Sequence, residues 1–129
     1  MATIKSFTDI EQSKKLAKFL PFESADMLIG NYVGKSGKVD GTNVHYYSKG
    51  ESFGAPEITN AWSLAALVGI LPKNLNIGRP SLESNYKGYY WIQYYDEYMK
   101  PNNYKTECFN NPVDACYEII LKLKELNLL

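Results

Sequence analysis

The chain of 129 residues has few of the residues that mark catalytic or metal sites. It contains one histidine, His45, and two cysteines, Cys108 and Cys116. A lone histidine lacks the second His or Cys that a metal site requires, and two cysteines are too few for the disulfide framework of a secreted domain. We therefore expect no metal, no cofactor and two reduced thiols, buried as small hydrophobic side chains.

The sequence also lacks an excess of either charge, because 14 Lys and Arg balance 14 Asp and Glu. Without a net field there is little to attract phosphate backbones, which argues against nucleic acid as a partner. The longest apolar run, Ala61 to Leu71, is far shorter than the roughly 20 residues that span a bilayer. The start of the chain has no apolar stretch of the kind found in signal peptides. These absences predict a cytoplasmic protein with no membrane partner.

Aromatic residues, by contrast, are abundant, and they concentrate in Gly88 to Tyr98, GYYWIQYYDEY. This stretch reads as a long strand, in which alternate side chains point to opposite faces. One face would carry Tyr89, Trp91 and Tyr95, and the other Tyr90, Ile92 and Tyr94. Neither face is polar, which indicates helices or a partner chain on both sides. The alternative is that the tyrosines lie along a solvated sheet with their hydroxyls in water.

In the amino-terminal half, Thr8 and Glu11 form a potential capping box that predicts a helix ending at Pro21. A short strand is expected over 27–32. Asp40-Gly41 favours a hairpin turn, and 44–48 reads as the returning strand, with His45 on its surface.

Gly34-Lys35-Ser36 resembles the second half of a phosphate-binding loop. The first half is missing, because Ile29 stands where the motif requires glycine. The residues after Ser36 cannot open the helix that would hold a phosphate. We interpret the segment as a turn between strands and predict that ATP and GTP do not bind.

In the second half, Thr59 or Asn60 can cap a helix over Ala61 to Leu71, which contains no charged residue and should be buried all round. Gly69 would suit close packing of that helix. Residues 73–87 read as a polar connector, either an ordered lid or a mobile loop.

A turn at 100–103 follows the aromatic strand, and 104–109 should be its antiparallel partner. Asn111 as N-cap and Pro112 at the first helical position predict a last helix to about Leu126. The elements predict an α+β fold: a single domain with one antiparallel sheet of about four strands packed with three helices, in the order α-β-β-α-β-β-α.

The apolar helix AWSLAAL ending in Leu71-Pro72, the aromatic hairpin, and NPVDA opening a Leu- and Ile-rich helix resemble small phage and prophage proteins with an α-β-α sandwich domain. The resemblance covers about residues 57–129. It implies an antiparallel sheet with helices on it and a bacterial or phage cytoplasmic setting, and it brings no catalytic residues.

Function is best indicated by the aromatic excess, which is typical of interaction surfaces. We expect a non-catalytic protein–protein interaction or adaptor module that binds a partner or itself, with Tyr89, Trp91 and Tyr95 as candidate binding residues. A small enzyme, or a protein that binds a sugar or a nucleic-acid base on the same aromatics, is the alternative. The residues available to an enzyme are scattered without signature spacing: His45, Asp96, Glu97, Glu107, Cys108 and Cys116.

Overall fold

The computed structural model describes residues 5–33, 39–48 and 57–129, with 30–33, 39–48 and 57–58 described by their backbone alone. In these residues the helices are α1 (Ile10–Leu16), α2 (Leu64–Ile70) and α3 (Pro112–Glu125). The strands are β1 (Met27–Val33), β2 (Val39–Ser48), β3 (Glu57–Ala61), β4 (Arg79–Ser84), β5 (Tyr90–Tyr95) and β6 (Pro101–Lys105). The α+β class is the predicted one.

The chain divides into two compact units. The first unit is Phe7–Ala66, and the second combines residues 5–6 with Leu67–Leu129. The single-domain interpretation stays a prediction.

In the first unit, β1 lies between β2 and β3 and is antiparallel to both. Trp62, which comes directly after β3, is fully buried, and its Nε1 donates to Ser24 Oγ at 3.0 Å. Burying an indole requires a partner for this N–H, which Ser24 supplies from a short 3-10 turn. Leu16, Ile29 and Ala61 are buried as well.

The helix α1 begins one residue later than its sequence pattern indicates. Its capping box pairs Asp9 with Gln12, whose backbone N–H donates to Asp9 Oδ1 at 2.8 Å. Thr8 cannot cap, because its hydroxyl is buried and accepts from the Trp62 N–H at 3.1 Å. Regular helix ends at Leu16, and turns continue to residue 20.

The strand β1 is where it was predicted, whereas the predicted turn at Asp40-Gly41 is wrong. Both residues lie inside β2, which begins at Val39 opposite Val33. The reversal between the strands and the Gly34-Lys35-Ser36 segment fall outside the described residues. The next described element is the strand β2, whereas a phosphate loop leads into a helix.

In the second unit, β5 lies between β4 and β6, again antiparallel to both. The helix α3 packs against β5. Its buried residues include Val113, Cys116, Ile119, Ile120 and Leu123. Tyr94 of β5 is fully buried, donates its hydroxyl to Pro72 O at 3.0 Å, and meets the Tyr104 ring edge-on at 6.2 Å between centroids.

The prediction of one sheet of about four strands is wrong, because the described residues form two antiparallel sheets of three strands each. The two strands that were missed flank α2. β3 occupies residues assigned to a helix cap, and β4 lies in the predicted connector. β3 pairs with β1, and β4 pairs with β5. Each provides hydrogen-bond partners for backbone N–H and C=O groups on one edge of the predicted strand.

The helix α2 is shorter and more exposed than expected. It begins at Leu64, with the Ser63 Oγ accepting from the Ala66 N–H at 3.2 Å, so neither Thr59 nor Asn60 caps it. Leu67 is its one buried residue, and Gly69 is exposed with open space around its Cα. The predicted burial on all sides is therefore wrong, since two turns of helix cannot be surrounded as a long core helix is.

The helix α3 begins as predicted, with Asn111 accepting from the Asp114 N–H at 2.9 Å and Pro112 in the first turn. Asp114 also forms an ion pair with Lys5, with 2.7 Å between Nζ and Oδ1. No helix in the described part of the chain is long and apolar enough to cross a membrane.

Candidate functional site

The β4–β5 hairpin carries the three predicted binding residues. Its turn is organised by Asn85, whose Oδ1 accepts from the backbone N–H groups of Lys87 and Tyr89 at 3.0 and 3.1 Å. Gly88 supplies the positive φ of 87° that this turn requires. The register then places Glu83 opposite Trp91 and Arg79 opposite Tyr95.

The two faces of β5 have different surroundings. Ile92 and Tyr94 are fully buried on the face that packs against α3. Trp91 and Tyr95 point to the opposite face and are half-buried, and Tyr89, just before the strand, is 45% exposed. We call Tyr89, Trp91, Tyr95 and Glu83 the aromatic face. The face of β5 that carries Ile92 and Tyr94 is therefore part of the core, and the aromatic face is on the other side.

Glu83 joins two of the aromatic residues. Its Oε2 accepts from Trp91 Nε1 at 2.9 Å, and its Oε1 accepts from the Tyr95 hydroxyl. Gln93 lies between Trp91 and Tyr95 along β5, so the Tyr95 side chain must extend over Gln93 to reach Glu83. Gln93 is itself only 9% exposed, and its amide donates to the carbonyls of Tyr94 and Asn102.

The hydrogen bond to the Glu83 carboxylate raises the pKa of Tyr95 above its ordinary value. The phenol is a donor to a charged acceptor, and ionising it would place two negative charges side by side. Tyr95 is therefore a neutral donor over the physiological range, and both oxygens of Glu83 have aromatic partners. The Trp91 and Tyr95 side chains are thus each held by a hydrogen bond to Glu83.

Two clefts adjoin the Tyr95 end of the aromatic face, and both lie within the second unit. The larger, about 440 Å³, is lined by Lys73, Asn74, Leu75, Gly78, Arg79, Tyr95, Asp96 and Glu97. The smaller, about 340 Å³ and here called the cationic cleft, is lined by Lys73, Arg79, Pro80, Ser81, Tyr95 and Met99. Lys73, Arg79 and Tyr95 line both, so the two clefts are neighbours, and we call them together the depression.

Gly78 shapes this depression. Its φ is 88°, and its backbone exchanges two hydrogen bonds with Asn74 that close the loop before β4. A side chain at this position would collide with the Tyr95 carbonyl. Across the depression, Asp96 Oδ1 accepts from the backbone N–H groups of Tyr98 and Lys100, which holds the turn after β5.

The other candidate residues do not assemble into a site. Among the residues with described surroundings, no group of three His, Cys, Asp or Glu could hold a metal ion. His45 lies in β2 opposite Gly30, a strand position as expected. Cys116 is buried, which raises the pKa of its thiol to about 12. Cys108 is exposed, so the prediction that both thiols are buried is wrong for this one.

The sequence interpretation missed Glu83, Arg79 and Lys73, because all three fall in the segment assigned to a connector. A signal was present. Asn85 and Gly88 bracket a turn directly before an obvious strand, and a turn in that place predicts a preceding strand to pair with.

Comparison with known proteins adds no assignment. No protein-family model matches the chain, and no curated protein or solved structure matches it significantly.

Proposed function

We propose that the protein is a small non-catalytic interaction module of the phage or bacterial cytoplasm, which binds a protein partner through its aromatic face. One observation carries the proposal. The sheet buries one face against α3, while Trp91 and Tyr95 on the other face are hydrogen-bonded to Glu83 and are only half-buried. Aromatic residues fixed before binding lose little conformational freedom on association, which favours affinity.

The sheet edges support docking on the face rather than strand addition. β4, at one edge, contains Pro80, which cannot donate to a further strand. β6, at the other, begins with Pro101, and Lys122 Nζ donates to the carbonyls of Lys105 and Asn103 at 3.1 and 3.5 Å. Both edges are therefore poorly suited to pairing with a strand of a partner, and the aromatic face is the better docking surface. The free thiols are consistent with a cytoplasmic setting.

The test compares Trp91→Ala with Phe22→Ala, an exposed aromatic of the first unit. Tagged proteins are used to capture partners from host extract for mass spectrometry, and the interaction is then measured with the purified partner. Trp91→Ala should weaken binding by at least about 1 kcal/mol, or fivefold, because interface tryptophans contribute heavily, whereas Phe22→Ala should not.

Light scattering after gel filtration measures the molar mass and so tests whether the protein associates with itself. A dimer that Trp91→Ala dissociates would identify a second copy as the partner. A strict monomer without a Trp91-dependent partner would overturn the proposal, as would a Trp91→Ala variant that loses thermal stability but binds normally.

Binding of a small ligand is the second candidate, and the clefts beside Tyr95 favour it. Their lining combines the Tyr95 ring with charged groups that could orient a ligand. A thermal-shift screen with sugars and nucleobases tests this candidate: a saturable stabilisation lost in Tyr95→Ala but retained in Phe22→Ala would favour it over a protein partner.

A further inference from the structure

The cationic cleft has two positive side chains in its lining, Lys73 and Arg79, and no carboxylate among its described lining residues. The carboxylates of Asp96 and Glu97 line the larger cleft, which shares both cations. Within the described part of the chain neither cation forms a salt bridge; the one polar partner of Arg79 is the Met99 thioether, 2.7 Å from Nη2. A thioether is a weak acceptor, and a guanidinium has five N–H donors, so most of its capacity is available.

Each of the two clefts also has an exposed apolar side chain in its lining. Leu75 is 87% exposed and lines the larger cleft, and Met99 is 61% exposed and lines the cationic cleft. The Tyr95 ring is common to both clefts and continues into the aromatic face. A ligand that fits both features carries a negative charge next to apolar groups.

We infer that the cationic cleft receives the carboxylate of a glutamate or aspartate side chain in an apolar segment of the partner. This names the partner's chemistry and so rests on the proposed function. The planar guanidinium of Arg79 can bind a carboxylate through two hydrogen bonds, and Lys73 adds a second charge. Neighbouring apolar residues of the segment then lie over Leu75, Met99 and Tyr95.

The larger cleft also limits the charge that can be accepted. Asp96 and Glu97 line it, next to the same two cations. A multiply charged anion such as a phosphate would be repelled by these carboxylates more strongly than a single carboxylate would be. This charge distribution favours an acidic side chain over a phosphorylated one.

The experiment uses the full-length protein labelled with ¹⁵N and a pair of peptides that differ by one charge. These are acetyl-Leu-Glu-Leu-amide and acetyl-Leu-Gln-Leu-amide. The glutamate peptide should shift the backbone amides of Lys73, Arg79 and Met99 saturably. The glutamine peptide should bind about fivefold more weakly, because it has the same shape and lacks the charge.

Arg79→Gln should reduce the affinity for the glutamate peptide to that for the glutamine peptide. Lys87→Gln, which removes an exposed cation from the β4–β5 turn, is the matched control and should change nothing. Raising the salt concentration should weaken the glutamate peptide more than the glutamine peptide.

Equal affinity for the two peptides, or no shift with either, would overturn the inference. Two further probes can overturn it as well. One is acetyl-Leu-Gln-Leu with a free terminal carboxylate, if it is the only peptide that binds. The other is inorganic phosphate, if it causes stronger saturable shifts than the glutamate peptide. The proposed function fails separately: if the glutamate peptide binds but no Trp91-dependent partner exists, the cleft stands without the interaction role. If a Trp91-dependent partner binds equally well to Arg79→Gln, the role stands without the cleft.

Discussion

Gly78 and Gly88 both have a positive φ, yet they should respond differently to the same substitution. Around Gly88 a methyl group would meet nothing, so Gly88→Ala should cost only the left-handed backbone conformation, about 1 kcal/mol. At Gly78 the methyl would overlap the Tyr95 carbonyl, so Gly78→Ala should destabilise by about 1–3 kcal/mol more. Urea unfolding of the two variants measures the difference, and equal losses would contradict this packing.

Glu83 should control the ionisation of Tyr95. In Glu83→Gln the carboxylate that raises the Tyr95 pKa is absent, so that pKa should fall toward its ordinary value. Titration of the ¹³Cζ resonance of Tyr95 in the variant and in the unsubstituted protein follows the change. An unchanged Tyr95 titration would show that the hydrogen bond to Glu83 is not made in solution.

At the residue scale the sequence is a good guide to chemistry and a poorer guide to which neighbour a side chain selects. Thr8 and Asp9 are both good caps, and the sequence cannot tell that Thr8 is used by Trp62, a residue far along the chain. Likewise, the alternation of β5 predicts its two faces, but which of them is core depends on where α3 packs. The Glu83 contacts require β4, which was not predicted.

At the scale of elements, α2 offers a test of an exposed glycine in a helix. Gly69 has open space around it and no special φ, so nothing in its surroundings requires glycine. Gly69→Ala should therefore stabilise the protein by about 0.5–1 kcal/mol, because alanine loses less backbone entropy in a helix. Thermal unfolding measures this; a destabilised variant would mean that the helix is packed on this side.

Several strong local signals for elements were right, but turn signals were wrong. The turn predicted at 100–103 lies mostly inside β6, which runs over Pro101–Lys105 and not over 104–109. α3 has an N-cap, a proline and a broad apolar surface within 14 residues, so its start was predicted without tertiary information. β3 and β4 are short, and β4 is an edge strand of mixed polarity, RPSLES. Their conformation is determined by pairing with β1 and β5, and single-segment patterns carry little of that information.

For the molecule as a whole, stability should decline in alkali. Burial raises the pKa of Cys116 from 9.0 to about 12, so the unfolded chain loses this proton first as the pH rises. The contribution is complete below pH 9 and is lost between pH 9 and about 12, at about 1.4 kcal/mol per pH unit. Above pH 10 the raised pKa of Tyr94, caused mainly by its burial, adds a loss in the same direction.

Chemical unfolding at several pH values from about 8 to about 10 measures this slope, because the Cys116 thiol of the unfolded chain starts to ionise in this range. Cys116→Ala should remove most of the decline between pH 9 and 10, while Cys108→Ala, which removes the exposed thiol, should retain it. A decline of unchanged slope in Cys116→Ala would assign the alkaline sensitivity to another group.

The ion pair between Lys5 and Asp114 joins residues 109 positions apart, and it has a consequence for synthesis. A ribosome adding about 5–20 residues per second makes the lysine about 5 to 20 seconds before its carboxylate partner. Every residue of Phe7–Ala66 leaves the ribosome within that interval. The unit in the amino-terminal half can therefore fold first, while the unit with the aromatic face waits for the last helix to be translated.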